Sequence, residues 1–339
     1  MRGIRAVLIA VIVLGLAGAA GATGPRTLTR AGDLYAVAVV DNQAVVTARH
    51  ADGTLSELAV PQTAGIESGS LQVGVDPATG ALYVLWQKST DMEARVRIAT
   101  LVDGTWMGPI TVAGNDGTAA SYPQMMVQRV VSTYLEEPEP DQEPTEVEIA
   151  TTFIHLVWWS RANDDDVGAA VYMALPVRDD GTPLLRDAEQ AALVDFLPYG
   201  VACFDIAGGD ELKHPKLLRD PVSGNLHVFA TDFGDCLFQT IELQAETVAD
   251  ESAPGKRRRQ IIILRNPSMI ALRPDVPLGR TKIEVGRGLD IFLHWDGDEG
   301  DRLHYLELDP EGASDIKSLE LDENLNHEQA VDLIRGLIN

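Results

Sequence analysis

The chain has 339 residues, and its 51 acidic against 27 basic side chains give a formal net charge of −24 at pH 7. Nucleic acid and anionic membrane surfaces are therefore poor partners, because both repel such a protein. A chain of this length buries about three quarters of its unfolded surface, so a core can form without a disulfide scaffold.

Residues 1–22 have the parts of a secretory signal peptide. Arg2 and Arg5 precede an apolar stretch, and small residues lead up to Ala22. Cleavage near Ala22 would release a secreted or periplasmic protein. The uncharged stretch 6–22 is only just long enough to span a bilayer, so membrane association is expected only if the segment stays uncleaved.

Residues 23–325 are predicted to form one domain of repeated, four-stranded antiparallel units. The clearest unit has runs of apolar or alternating residues, separated by turn-forming residues, at 73–75, 82–86, 96–101 and 110–112. The first unit, which starts at Leu34, lacks the short first run. We expect residues 23–32 or the C-terminal tail to supply that strand.

Five copies of the unit can be aligned on the apolar run that forms the second strand. These runs begin at Leu34, Leu82, Ile154, Leu226 and Leu289. An Asp-Pro-x-x-Gly turn precedes the run at 76–80 and 220–224, and an Asp-Gly-Thr turn recurs at 52–54, 103–105 and 180–182. Two turn signals in register indicate repeats that share a core and differ in their loops.

Two segments depart from this pattern. Residues 132–147 are acidic and rich in proline, and we expect them to form a mobile loop that does not pack. Residues 256–259 are one lysine and three arginines beside an apolar last strand. Such a cluster favours protection of a sheet edge over a binding site.

Residues 326–339 are predicted to form a short amphipathic helix. Asn326 and Gln329 have the spacing of an N-terminal cap, and the apolar residues that follow recur on one helical stripe. We expect this helix to dock on its own domain, and docking on a partner protein is the alternative.

The second runs are continuously apolar, which is typical of strands that are buried on both faces. Four-stranded units that stack around an axis produce this pattern. We therefore predict an all-β fold, a β-propeller of five blades with a short C-terminal helix. A face-to-face sandwich of two sheets is the competing fold, but it does not explain repeats of this period.

The second unit resembles a blade of the sialidase-like, or BNR-repeat, propellers. Its apolar run ends in Trp86, and Asp103-Gly104-Thr105-Trp106 precedes its outer strand, where that family has an Asp-box turn. The resemblance covers roughly residues 34–321. It implies a propeller and, as an expectation, hydrolysis of extracellular glycans at a site where an arginine cluster holds the substrate carboxylate and a tyrosine with acidic partners carries out the covalent step. The first strands of the units open without arginine, so no catalytic set can be assigned.

Acidic residues occupy three loops between the second and third strands of their units. They are Asp164 and Asp166, Asp232 and Asp235, and Asp296, Asp298 and Asp301. Equivalent loops of a propeller emerge on one face, so we expect an acidic rim that binds a protein or glycan ligand. The last three aspartates are candidate ligands for Ca²⁺, which prefers several oxygen ligands, and solvated hairpins are the alternative. No other cofactor is indicated.

Tyr122 and His214 each precede a proline at the start of a first strand, which makes them further candidates for the ligand-binding rim, and a packing role is the alternative. The remaining histidines are interpreted as structural. The only cysteines, Cys203 and Cys236, would form a disulfide in an oxidising compartment or remain free buried thiols. No sequence motif of a serine or cysteine nucleophile is present.

These features favour an extracytoplasmic propeller that acts as a binding or interaction module. The alternative function is that of a sialidase-like glycoside hydrolase. A convergent arginine cluster on the face of the acidic loops would indicate the enzyme, and an acidic or aromatic rim without it would indicate binding.

Overall fold

The chain folds into small antiparallel sheets followed by one helix. The computed structural model describes residues 26–28, 32–66, 70–89, 94–114, 118–136, 145–162, 168–184, 202–204, 215–220, 224–232, 235–249, 257–272, 282–285, 291–297, 300–309, 312–313, 315–322 and 325–337. In this part of the chain no helix is both long and apolar enough to cross a membrane. The predicted signal peptide, residues 1–22, lies outside the described residues.

The first two sheets each contain four strands in chain order. The strands of the first sheet are β1 (Arg26–Leu28), β2 (Leu34–Val40), β3 (Gln43–Arg49) and β4 (Leu55–Ala59). Those of the second sheet are β5 (Gln72–Val75), β6 (Leu82–Ser89), β7 (Ala94–Val102) and β8 (Thr105–Ala113). Strand β1 pairs with β2, so the segment before Leu34 supplies the strand that the first unit lacked.

The third and fourth sheets have the same order but longer hairpins. The strands of the third sheet are β9 (Thr118–Glu136), β10 (Thr145–Ala162), β11 (Gly168–Val177) and β12 (Ala202–Phe204). Those of the fourth sheet are β13 (Lys216–Arg219), β14 (Leu226–Asp232), β15 (Asp235–Ala249) and β16 (Arg257–Leu272). The basic residues 257–259 therefore belong to the last strand of the fourth sheet.

The fifth sheet is built from β17 (Lys282–Val285), β18 (Ile291–Asp296), β19 (Arg302–Asp309), β20 (Gly312–Ala313) and β21 (Lys317–Glu320). Both β20 and β21 pair with β19. Helix α1 (His327–Leu337) follows. Its apolar residues Ala330, Val331 and Ile334 are buried against Phe292 and Tyr305, so the helix docks on its own sheet as expected.

The prediction of a mobile loop at 132–147 is wrong for both ends of that segment. The ladder between β9 and β10 continues outward to the pair Glu136 and Thr145. The physical reason is alternation: Ser132 and Tyr134 are half-buried while Thr133 between them is exposed. This period of two suits a strand in spite of the acidic composition.

The turn signals fold as two kinds of turn. In the Asp-Gly-Thr turns at 52–54 and 180–182, the aspartate Oδ1 accepts hydrogen bonds from the threonine backbone N–H at 2.8 and 2.9 Å. The third copy differs, because only Asp103 and Gly104 separate β7 from β8 and both have positive φ. A two-residue hairpin turn needs this conformation to match the strand twist. The shared sequence therefore hides a difference in loop length.

The core lies between successive sheets. Along β6, Val84 and Trp86 pack towards the first sheet, while Tyr83 and Leu85 pack towards the third. Along β10, Leu156 likewise faces the second sheet and other residues face the fourth. Because alternate side chains enter two different cores, the strand is buried on both faces, which explains the continuous apolar runs.

The second and third sheets pack closely at Gly74 of β5. A Cβ atom at this position would lie 2.5 Å from Val127 Cγ2 and 3.3 Å from Met125 Cε. The buried Asp76 carboxylate, which follows β5, also accepts a hydrogen bond from Thr152 Oγ1 at 2.9 Å. The absence of a side chain at residue 74 therefore allows β5 to pack this closely against Val127 and Met125 of β9.

Two histidines at the equivalent place of their repeats are buried, as the structural interpretation of these residues expects. His155 Nδ1 lies 2.7 Å from Tyr172 Oη, and its ring stacks on the tyrosine ring. Burial lowers the pKa of His155 to about 3, and the nearby charge of Arg219 acts in the same direction. His227, which lies 3.1 Å from Thr240 Oγ1, also has a lowered pKa because it is buried.

We expect Gly74→Ala to lower the free energy of unfolding by about 1 to 3 kcal/mol, because the new methyl group overlaps Val127. In the double variant with Val127→Ala, the total loss should be smaller than the sum of the two single losses by at least about 0.5 kcal/mol. Urea unfolding of the four proteins measures this coupling. Strictly additive losses would contradict the close approach of the two sheets.

We also expect His155 to make the protein less stable in mild acid. Its folded pKa is below its unfolded pKa, so its full contribution to stability is present above about pH 6.5 and declines as the pH falls towards 3. Between pH 7 and pH 5 this one group should cost about 2 kcal/mol. Urea unfolding at both pH values should show a smaller loss in His155→Gln, whereas Tyr172→Phe, which retains the histidine, should keep the loss of the parent.

Candidate functional site

A polar cleft lies between the first three sheets, at the end that carries the turns between third and fourth strands. Its volume is about 420 Å³, which is within the usual range for small-ligand sites. The polar side chains on its wall belong to Tyr35, His50, Ser56, Thr79, Asp103, Asp179 and Asp180. Among the described residues that line it, none is an arginine or a lysine.

His50 is at the centre of a hydrogen-bonded chain on the first sheet. It directly follows β3, and its Nε2 lies 3.0 Å from Ser56 Oγ on the neighbouring β4. Its Nδ1 lies 3.2 Å from Asp33 Oδ2, in the connection before β2. Serine, imidazole and carboxylate are therefore joined in that order, and the hydroxyl and the imidazole line the cleft.

The chemistry of the partners decides which nitrogen of His50 donates to Asp33. An ionised carboxylate only accepts hydrogen bonds, so His50 Nδ1 carries the proton that is donated to Asp33. In the neutral ring, Nε2 then has a free lone pair that accepts the hydroxyl proton of Ser56. A serine hydroxyl that donates to an imidazole is the ground state for activation of that hydroxyl by a general base.

The Asp33 carboxylate is held in its ionised form. Its Oδ1 accepts the backbone N–H of Ala51 at 2.8 Å. This bond, followed by the bond from His50, lowers the pKa of Asp33 below its ordinary value. Tyr35 also hydrogen-bonds Asp33, and burial together with the carboxylate charge raises the pKa of the tyrosine. Three donors thus fix the orientation of one carboxylate.

The opposite wall of the cleft comes from the second and third sheets. Asp103 and Gly104 form the tight turn after β7, and Asp180 belongs to the Asp-Gly-Thr turn after β11. The Tyr83 hydroxyl donates to the carbonyl oxygen of Gly181 at 2.8 Å, which fixes this turn against β6. The wall therefore consists of short turns that are supported by the core.

This cleft lies at the other end of the sheets from the predicted acidic rim, because successive connections of an antiparallel meander alternate between the two ends. Of the residues predicted for that rim, four lie outside the described residues: Asp164, Asp166, Asp298 and His214. Asp232 and Asp235 form the last ladder pair of β14 and β15, at a connection between second and third strands as predicted.

Of the candidate calcium ligands, Asp296 and Asp301 are described, and both are exposed. The Asp296 Oδ1 atom lies 2.7 Å from His327 Nδ1 at the start of α1, and the Asp301 carboxylate lies 4.0 Å from Arg302 Nε. Among the described residues, no three acidic, histidine or cysteine side chains are grouped as metal ligands. With Asp298 outside that set, the calcium site stays a prediction.

Tyr122 has a backbone conformation that is unusual for a residue with a side chain. Its φ is 54° and its side chain is exposed. Its backbone N–H donates to Gln87 Oε1 of the second sheet at 3.0 Å. Gln124 makes the equivalent contact to the next sheet, accepting the backbone N–H of Leu217 at 3.1 Å. These bonds indicate that the region of Tyr122 links neighbouring sheets.

The two cysteines are in neighbouring sheets. Cys203 is the central residue of β12, opposite Val171, and Cys236 is in β15, opposite Thr231. Their side chains are outside what the structure describes, so the disulfide stays a prediction.

Sequence reasoning missed Asp33, His50 and Ser56. All three are common surface residue types, and no short motif contains them. One signal was present: the turn at 52–54 closes a hairpin through the bond from the His50 N–H to the Thr54 carbonyl oxygen, 2.9 Å long. A hairpin closed there brings residues 50 and 56 together across the two strands.

Comparison with known proteins finds only distant similarity. No family model matches the chain, and no curated protein matches it. Among solved structures, the crystal structure of polysaccharide lyase Uly1 aligns with 89% of this chain and 91% of its own chain, at a TM-score of 0.30 and 10% sequence identity.

Proposed function

We propose that this protein is a five-bladed β-propeller that acts outside the cytoplasm as a binding module for neutral, hydroxyl-rich glycans. The export signal in residues 1–22 supports the location. The ligand would bind in the cleft between the first three sheets. The observation that carries the proposal is the set of polar side chains in this cleft: among the described residues that line it are three aspartates, a tyrosine, a histidine, a serine and a threonine, and no arginine or lysine.

Contacts between first strands support the propeller. Strand β1 contacts β5, β5 contacts β9, β9 contacts β13, and β13 contacts β17. In a propeller, the first strands of the blades lie side by side around the axis, and an apolar core separates each blade from the next. The tight turn at Asp103 and Gly104, directly before β8, also has the place that the resemblance to sialidase-like propellers implies.

The charge of the cleft favours a neutral ligand. Asp103, Asp179 and Asp180 lie on one wall, and carboxylates are strong acceptors for sugar hydroxyl groups. The ring of Tyr35 offers an apolar face on the other wall. An anionic sugar such as a sialic acid would be repelled by these three carboxylates, and among the described residues of the cleft no arginine is present to pair with its charge. The composition thus favours binding of neutral glycans over sialidase activity.

We expect neutral oligosaccharides to raise the thermal midpoint of residues 23–339, and sialylated ones to leave it unchanged. Ligand at a hundredfold excess over Kd adds about 2.7 kcal/mol to the stability of the folded state. Asp103→Asn should weaken binding about tenfold, since one charge-assisted hydrogen bond is lost while asparagine still accepts positive φ. Titration calorimetry with the best ligand of the melting panel measures the change.

Asp41→Asn is the matched control. Asp41 occupies the same kind of two-residue turn with positive φ, but between β2 and β3 at the other end of the first sheet. This variant should bind as the parent does. A midpoint that rises only with sialylated glycans, or equal weakening by both substitutions, would show that the cleft is not a site for neutral glycans.

A further inference from the structure

We propose that Ser56 is a nucleophile for acyl transfer, with His50 as its general base and Asp33 as the residue that positions the base. The substrates would be small carboxylic esters that enter the cleft. This activity goes beyond binding and does not depend on the glycan proposal, because it follows from the first sheet alone.

The distances match the roles. A nucleophile and its base must be within hydrogen-bond reach, and a third group must orient the base. Ser56 Oγ is 3.0 Å from His50 Nε2, and His50 Nδ1 is 3.2 Å from Asp33 Oδ2. The carboxylate is itself anchored by the N–H of Ala51. Both requirements are therefore met without movement of the backbone.

Ser56 and His50 are accessible from the cleft, and Asp33 is the more shielded group, which is the arrangement that catalysis needs. Ser56 and His50 line the cleft, so an ester carbonyl can reach both. The side chain of His50 is 36% exposed and that of Asp33 is 22% exposed, so the carboxylate is the more protected of the two. A network with a purely structural role could equally well shield the hydroxyl and expose the carboxylate.

Each step of the reaction is balanced by these groups. Ser56 Oγ forms a bond to the ester carbonyl carbon while its proton moves to His50 Nε2. The bond from that carbon to the alcohol oxygen then breaks, and the leaving alcohol takes the proton from His50. Water releases the acyl group by the same route: it gives a proton to His50, and Ser56 recovers that proton as the carboxylic acid leaves. The Asp33 carboxylate stabilises the imidazolium in both halves.

The cleft also sets a preference among esters. Asp103, Asp179 and Asp180 line the same cleft as Ser56. Acyl groups that end in a carboxylate should react more slowly than neutral ones, because like charges repel. The substrate class is therefore esters with a small, neutral acyl group.

A second serine and histidine pair offers an internal control. His304 Nδ1 lies 2.7 Å from Ser318 Oγ on the surface of the fifth sheet. In the part of the chain that the structure describes, no carboxylate accepts a hydrogen bond from His304. If contact between serine and histidine were sufficient for reaction, Ser318 would react as Ser56 does.

The test is covalent labelling of the folded protein, residues 23–339, with a fluorophosphonate, followed by peptide mass spectrometry. We expect one adduct, on Ser56, and none on Ser318. His50→Gln should slow the labelling by at least about a hundredfold, the lower bound for general base catalysis. Ser318→Ala should label as the parent does, and melting curves should show that each variant is folded.

Turnover of 4-nitrophenyl acetate provides the second readout. We expect Asp33→Asn to lower kcat and leave KM unchanged, because Asp33 orients the base and does not touch the ester. The 4-nitrophenyl ester of a dicarboxylic acid should react more slowly than the acetate. Absence of an adduct on Ser56 in the unsubstituted protein, or equal labelling of Ser318, would overturn the proposal. Labelling of Ser56 without any glycan binding would support it and reject only the binding function.

Discussion

The structure depends on face-to-face packing of successive sheets. Trp86 and Leu85 are neighbours on one strand, yet they enter the cores on either side of the second sheet. A strand used in this way has no solvent-exposed face, so polar side chains on it, such as His155 and Thr152, are buried and hydrogen-bonded. The Asp76 carboxylate is also buried in the core, where Thr152 and the residues of its own turn donate hydrogen bonds to it.

This constraint also explains the position of the cleft. Turns between third and fourth strands project beyond the apolar layers, where acidic and hydroxyl side chains lose little solvation. The core fixes the bases of these turns, as Tyr83 does for the turn of Asp180 through Gly181. The polar groups of three sheets thus converge on a rigid frame, a condition that precise binding and general base catalysis share.

The sheets could be predicted from the sequence because their signals are local. Leu34, Leu82 and Leu226 begin second strands as predicted, since apolar runs between turn residues need no long-range information. The cleft could not be predicted, because Asp33, His50 and Ser56 meet only through the register of three strands. The prediction of a mobile loop at 132–147 was wrong at both ends for a different reason: the acidic, proline-rich composition was given more weight than the alternation at residues 132–134, which indicates a strand.

The alternation of cores has a consequence for the way the molecule comes apart. In the described part of the chain, three of the apolar clusters each join two neighbouring sheets, so each sheet is stabilised mainly by the sheets next to it. Cooperativity should then pass from neighbour to neighbour, as in solenoid proteins. Strands β6 and β10, each of which packs into two of these clusters, would exchange their amide hydrogens last. The outer strands that frame the cleft would open first and independently.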